Sequence, residues 1–263
     1  MSLLDLFRLD GKVAVVTGAG QGIGRGIAWG LADAGCNVAI NARRIGDLQE
    51  TAAGIEARGT RALIVDGDIR DFSEQLADRT VSELGGLDVW VNNVGGSDEK
   101  TVRELIDTPD EVFRSQLELN LTTAFQGSKA AARRMHAGGV IINISSGSGS
   151  RGSPRTGPYA AAKAGMNNLT QTLALELAPR GIRVNTVSPG PIVTEAFREV
   201  SGVTDRLDEL ARTIPLGRTG TPDDIAAAVV FFASPAASWV TGEHLLVAGG
   251  RTQRSYQYEP RPA

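Results

Sequence analysis

The feature that most restricts the fold is a repeated change of hydrophobic period along the chain. Short, continuous apolar runs rich in β-branched residues alternate with longer segments of helical spacing. The runs are Lys12–Thr17, Asn37–Asn41, Arg61–Val65, Leu87–Val91, Val140–Ile144, Arg183–Val187 and His244–Val247. Between them, Gly24–Ala34, Ile45–Arg58, Phe72–Leu84, Thr108–Met135, Tyr159–Ala178 and Pro222–Ala233 carry helical periodicity or a Pro/Asp-type helix start. A strand wetted on one face alternates apolar and polar residues, so continuous runs mean burial on both faces under helices. Seven such strands joined by crossover helices predict an α/β protein with one open, doubly wound parallel sheet. No 20–50-residue repeat and no polar linker divides the 263 residues, which gives one domain with a core of about 9–250. The polar, Pro-containing tail 251–263 stands outside that core.

Composition removes several classes of function. The longest run without a polar residue is the nine of Ile225–Ala233, against roughly 18 needed to span a membrane. No basic stretch followed by an apolar one opens the chain, so no secretory leader is expected. Cys36 is the single cysteine, and His136 and His244 lie far apart, so neither a disulfide nor a metal cluster is expected. The net charge is −3 and no five like charges run together, which argues against nucleic acid and anionic membranes. The expectation is a soluble cytoplasmic protein acting on a small molecule.

In doubly wound sheets, ligands bind beyond the carboxyl ends of the strands, where strand order reverses. The first such place reads Thr17-Gly18-Ala19-Gly20-Gln21-Gly22-Ile23-Gly24 and runs into a helix. Glycines let the backbone approach a pyrophosphate, and the helix N-terminus offers free N–H groups. The spacing is not G-x-G-x-x-G, and a turn serving only strand–helix packing is the alternative. About 20 residues on, such a site commonly presents an acid to the ribose 2′-hydroxyl. The second strand ends instead in Asn41-Ala42-Arg43-Arg44. Arg43 there suits a 2′-phosphate, favouring NADP(H) with NAD(H) possible; a solvated arginine pair is the alternative.

The fifth strand leads into Ser145-Ser146, and 13 residues past Ser146 comes Tyr159, with Lys163 four further on. Positions i and i+4 share a helix face, so phenol and ammonium look into one space. A nearby ammonium is expected to lower a phenol's pKa from about 10 toward neutrality, making Tyr159 a general acid or base. A lone Tyr-x3-Lys is otherwise a packed tyrosine beside a solvated lysine.

With these motifs in order, the chain resembles the short-chain dehydrogenase/reductases over Leu9–Gly250, and among them the 3-oxoacyl-acyl-carrier-protein reductase-like members. The resemblance rests on Thr17–Gly24, Asp68-Ile69, Asn92-Asn93-Val94-Gly95, Asn120, Ser146, Tyr159/Lys163 and Asn185…Pro189-Gly190…Thr194. It implies a Rossmann-type sheet and a catalytic set of Asn120, Ser146, Tyr159 and Lys163. Ser146 would orient the carbonyl, Lys163 would bind the nicotinamide ribose, and Asn120 would hold a water relaying protons through Lys163. Cofactor contacts would come from Gly18, Gln21, Gly22, Ile23, Gly24, Arg43, Asn93, Gly95, Tyr159, Lys163, Pro189 and Gly190. Asp68 and Ile69 would line the adenine pocket, and Ile192 and Thr194 would anchor the nicotinamide end. Val94 and Ala248 depart from the commoner Ala and Asp.

The resemblance also implies a homotetramer, with a dimer second, packed through the small residues Ala160, Ala161, Ala164, Gly165 and Asn168. The substrate pocket would be walled by Gly96–Glu99, Gly147–Pro158 and a lid from Pro191 to about Pro215. Arg151, Arg155 and Arg198 in those walls read either as solvated loop residues or as attractors of an acidic substrate. The function expected is interconversion of a secondary alcohol and a ketone, or reduction of a 3-oxoacyl thioester. The alternatives are an NAD-linked alcohol, sugar or steroid dehydrogenase working oxidatively, and a non-catalytic dinucleotide sensor.

Overall fold

The computed structural model describes residues 2–97, 101–194 and 204–251, with no side-chain account of 204–206. Arg198, the lid residues 195–203, Asp98 and Glu99 of the pocket wall, and the tail 252–263 lie outside the described residues.

Seven parallel strands form one sheet in the order β3-β2-β1-β4-β5-β6-β7. They are β1 Val13–Thr17, β2 Asn37–Ala42, β3 Ala62–Asp66, β4 Val89–Asn92, β5 Val140–Ile144, β6 Arg183–Pro189 and β7 His244–Val247. β1 pairs with both β2 and β4, setting Val16 between Ile40 and Val91. Strand order therefore reverses at β1/β4, and the crevice for a ligand opens beyond Thr17 and Asn92.

The helices are α1 Gly22–Asp33, α2 Ile45–Glu56, α3 Ile69–Leu84, α4 Asp110–Leu117, α5 Thr123–Arg134, α6 Gly157–Leu177, α7 Thr204–Arg212 and α8 Pro222–Ala233. Their apolar faces bury against both sides of the sheet. Ile27, Leu31, Leu48, Ile55 and Ile225 join one core cluster, while Leu76, Ala130, Ala131 and Ala174 join the other. Cys36 is fully buried and burial pushes its thiol up to about 12, so it is inert at neutral pH. No helix among the described residues is long and apolar enough to cross a membrane.

Three details differ from the sequence reading. The helix expected over Thr108–Met135 is interrupted by a π turn at Glu118–Thr122, which separates α4 from α5. Each half keeps its own helical spacing on either side of the extra residue, so a search for helical period alone runs the two together. α3 starts at Ile69, not Phe72, because the Asp68 carboxylate caps it by accepting from Arg70 N–H at 3.1 Å. On α6, Ala160 is buried and Gly165 packs against Leu121, leaving Ala161, Ala164 and Asn168 as the exposed small residues.

Candidate active site

Beyond β1 and β4 lies a cleft of about 420 Å³, and most of the residues singled out from sequence meet in it. One end is the glycine turn. A Cβ on Gly18 (φ +66°) would come within 3.0 Å of Asn93 Nδ2 and 3.2 Å of Val94. Gly24 sits directly against the Gly18 carbonyl, so a side chain there is excluded. Asn93 ties the two loops together, donating its amide to the carbonyls of Thr17 (2.9 Å) and Gly18 (3.2 Å). The α1 N-terminus carries neither a side-chain cap nor an acid in its first turn. The first residues of the helix, Gly22, Ile23 and Gly24, line the cleft, so its partial positive charge faces that space.

The arginines at the end of β2 behave differently from each other. Arg44 is committed to the protein, pairing with Asp47 at 2.6 Å and donating to Gln21 at 2.8 Å. Arg43 is exposed and has no ion pair among the described residues. Asn41, buried, gives its amide to the Val65 and Gly67 carbonyls and keeps an unpartnered Oδ1.

At the other end stand Ser146, Tyr159 and Lys163. Ser146 caps a short 3-10 turn, Gly147–Ser150, its Oγ accepting the Ser148 N–H at 3.1 Å. That leaves the hydroxyl proton free to donate. Tyr159 and Lys163 sit one turn apart in the first half of α6, whose start is favoured by Pro158. The Lys163 ammonium lies 5.7 Å from the phenol ring centre and donates to the Ile144 carbonyl at 2.9 Å.

The protonation states do not follow the sequence expectation. Burial raises the Tyr159 pKa, and a hydrogen bond with Ser146 draws it only partly back. Burial lowers Lys163, the side chain being 2% exposed, to about 7. Desolvation penalises whichever form is charged, so in the chain alone it outweighs attraction between the two groups. Near neutrality the phenol therefore holds its proton.

Asn120 lines no wall of the cleft; it is fully buried behind Gly95 and Gly96, in the π turn. Its Oδ1 accepts the Gly96 N–H at 2.7 Å, and its amide donates to the carbonyls of Gly96 and Gln116, both at 3.1 Å. A Cβ on Gly95 would fall 2.6 Å from Asn120 Oδ1 and 2.9 Å from Lys163 Nζ. Glycine is required there so that amide and amine can approach the same stretch of backbone.

Arg43, Asp68 and Ile69 also lie off the cleft's lining. Asp68 pairs with Arg70 at 2.6 Å, which holds its carboxyl below the usual range. Ile69 is 3% exposed and belongs to the core, because helix α3 begins at it and turns its side chain inward. Sequence reasoning missed Ile144, whose carbonyl holds Lys163, and Ser145, whose Oγ donates to the Lys163 carbonyl at 3.2 Å. It also missed Gln116, whose Oε1 accepts from Asn120 at 3.2 Å. A Gln four residues before Asn120 on one helix face was the available signal.

A family model described as enoyl-(acyl carrier protein) reductase matches residues 18–252. The 7alpha-hydroxysteroid dehydrogenase of Escherichia coli (strain K12) is 38% identical over 254 residues, 95% of this chain and 97% of the relative. The chain belongs to the short-chain dehydrogenase/reductase family. A solved 7 alpha-hydroxysteroid dehydrogenase complexed with NADH and 7-oxo glycochenodeoxycholic acid superposes with a TM-score of 0.88 at 37% identity, covering 97% and 99% of the two chains. A short-chain dehydrogenase from Burkholderia cenocepacia J2315 in complex with NADP gives 0.85 at 35% identity, covering 93% and 99%.

As a short-chain dehydrogenase/reductase, the protein is an NAD(P)-dependent oxidoreductase acting on an alcohol–ketone pair. The site fits a dinucleotide: a side-chain-free glycine cradle and a helix N-terminus without a side-chain cap share one cleft with Tyr159 and Lys163.

Proposed function

We propose that this protein is a single-domain, NADP(H)-preferring reductase of secondary ketones or 3-oxoacyl thioesters, with Tyr159 as proton donor. The observation that carries the reading is the convergence of Ser146, Tyr159 and Lys163 on the cleft that ends in the glycine cradle. Gly18, Gln21, Gly22, Ile23 and Gly24 would hold the pyrophosphate, and Arg43 the 2′-phosphate, with its neighbour Arg44 already spent on Asp47. Asn93, Gly95, Pro189, Gly190, Ile192 and Thr194 would line the nicotinamide end. Bound there, the nicotinamide would supply or accept a hydride at the carbonyl carbon.

The chain's own part is proton handling and orientation. The Ser146 hydroxyl donates to the carbonyl oxygen and sets it beside the phenol. Tyr159, kept protonated by burial, delivers its proton as negative charge develops on that oxygen. Lys163 reprotonates the phenol, held in place by the Ile144 carbonyl. Asn120 acts from behind, fixing the backbone at Gly96 beside Gly95, the glycine that Lys163 approaches. In the oxidative direction the phenol must first lose its proton, so alcohol oxidation should rise toward alkaline pH.

An NAD-linked dehydrogenase working oxidatively is the second reading, supported by the NADH complex of the solved steroid dehydrogenase. Assembly through α5 and α6 into a homotetramer, or failing that a dimer, is supported by Phe125 and Leu175, 44% and 80% exposed on those helices. The deciding experiment is oxidation of NADPH and NADH at equal concentration against ketones, diketones, quinones and 3-oxoacyl thioesters. Turnover lost in Tyr159→Phe establishes the reductase. Silence in both directions, with tight cofactor binding, would turn the reading to a dinucleotide sensor.

A further inference from the structure

Ten arginines among the described residues are neutralised by carboxylates in salt bridges, and Arg151 and Arg251 are among those that are not. Both line a cleft of about 200 Å³ that shares Ser146, Pro189 and Gly190 with the catalytic cavity, and none of the described residues lining it is acidic. The topology explains the meeting. β5, β6 and β7 are neighbours in the sheet, and Arg151 follows the turn after β5 while Arg251 follows β7. The two guanidinium groups therefore flank the end of β6, where Pro189 and Gly190 stand beside Ser146. Arg251 is held by a turn, its N–H donating to the Ala248 carbonyl at 3.0 Å. Leu246 and Ala248 complete an uncharged, partly apolar floor.

We propose that this cleft binds an anionic group of the substrate, so that the enzyme acts on oxo or hydroxy acids in preference to neutral ketones. The inference rests on Ser146 and Tyr159 handling the carbonyl. A substrate whose carbonyl oxygen meets Ser146 runs its tail over Gly190 into the space between the arginines. Planar guanidinium forks with no carboxylate partner among the described residues suit a carboxylate, and a phosphate ester presents the same charge to the same donors. In a chain of net charge −3, this end of the site is locally cationic. Anions would be drawn to it from solution in a salt-dependent way.

The test compares 5-oxohexanoate with its methyl ester, and dihydroxyacetone phosphate with dihydroxyacetone, by kcat/KM and by calorimetric Kd at low and high salt. The wild-type enzyme should favour the anion of at least one pair by about tenfold. The acid pair alone would identify a carboxylate site, the phosphate pair alone a phosphate site. Arg151→Gln with Arg251→Gln should bring the ratio close to one, chiefly through KM, while the paired Lys replacements recover part of it. Added salt should shrink the wild-type ratio and leave the Gln variant's unchanged. Equal constants for anion and neutral partner in the wild type, or a ratio that survives the double Gln variant, overturns the proposal. Charge-dependent binding without turnover of any compound would leave the anion site standing and remove the reductase reading instead.

Discussion

On the face of the sheet covered by α1, α2 and α8, the strands stay aliphatic to their carboxyl ends: Val16 of β1, Val91 of β4, and Ile142 and Ile144 of β5 are all buried. The face beneath α3, α5 and α6 begins the same way with Val15, Trp90 and Ile141, then changes. Asn92 and Asn143 take the last places, and their amides join a buried chain of hydrogen bonds. Trp90 Nε1 donates to Asn92 (2.7 Å), and Asn92 donates to Ser128 of α5 (2.9 Å) and to Asn143 (2.8 Å). Asn143 donates to Thr170 of α6 (2.8 Å), which also accepts from Thr186 of β6 (2.8 Å). Aliphatic contacts tolerate small sliding, whereas a satisfied buried network fixes one arrangement. The polar face lies under Ser146 and the part of α6 that carries Tyr159 and Lys163. One face supplies area, and the other supplies position.

The largest effect should come from the chemistry that the polar face supports. Tyr159→Phe should lower kcat by about 10³-fold and leave the melting temperature and cofactor affinity nearly unchanged; retained turnover would displace Tyr159 from its role. Lys163 tests the same face through pH. Its folded pKa is depressed to about 7 from an ordinary 10.5, so between those values the unfolded chain binds a proton that the folded chain does not. Stability of the wild type should therefore rise across this window by about 1.4 kcal/mol per pH unit from this group. Lys163→Met, lacking that slope, should be the more stable protein at pH 7 and lose its advantage by pH 10.5. Parallel denaturation curves for the two proteins would refute the buried neutral amine.

Next, Ile142→Ala on the aliphatic face should cost about 3 kcal/mol in urea denaturation, with kcat per folded molecule within about twofold. Asn143→Ala, one residue along, should cost about 2–3 kcal/mol by leaving Asn92 and Thr170 short of partners. It should also lower kcat several-fold by loosening α6. Equal kinetic effects from the two would erase the contrast between the faces. The smallest change is Arg43→Ala, which should raise KM for NADPH about tenfold and barely alter KM for NADH. Equal losses would move the phosphate contact elsewhere.

The sheet was legible because parallel strands buried on both sides write continuous apolar runs into the sequence. The glycine turn and the Tyr159/Lys163 pair were legible because local spacing sets their geometry. Less visible were effects that depend on partners distant in sequence. Arg43 and Arg44 read alike until Asp47 and Gln21 claimed one of them. The phenol's pKa was expected to fall because the ammonium was visible in the sequence and the burial was not. Asn92 and Asn143 interrupt apolar strands, and only the fold shows that each completes the other.

The π turn at Glu118–Thr122 has a consequence for how this stretch can vary. One added residue in a helix advances its phase by about 100°. α4 therefore packs on α6 while α5 packs on α3, although the two are continuous along the chain. Replacing a residue in the turn changes one contact. Removing a residue would rotate every side chain of α5 relative to α4 and carry Ser128 away from Asn92. Chain length through 118–122 is in this sense fixed more strictly than the identity of its residues.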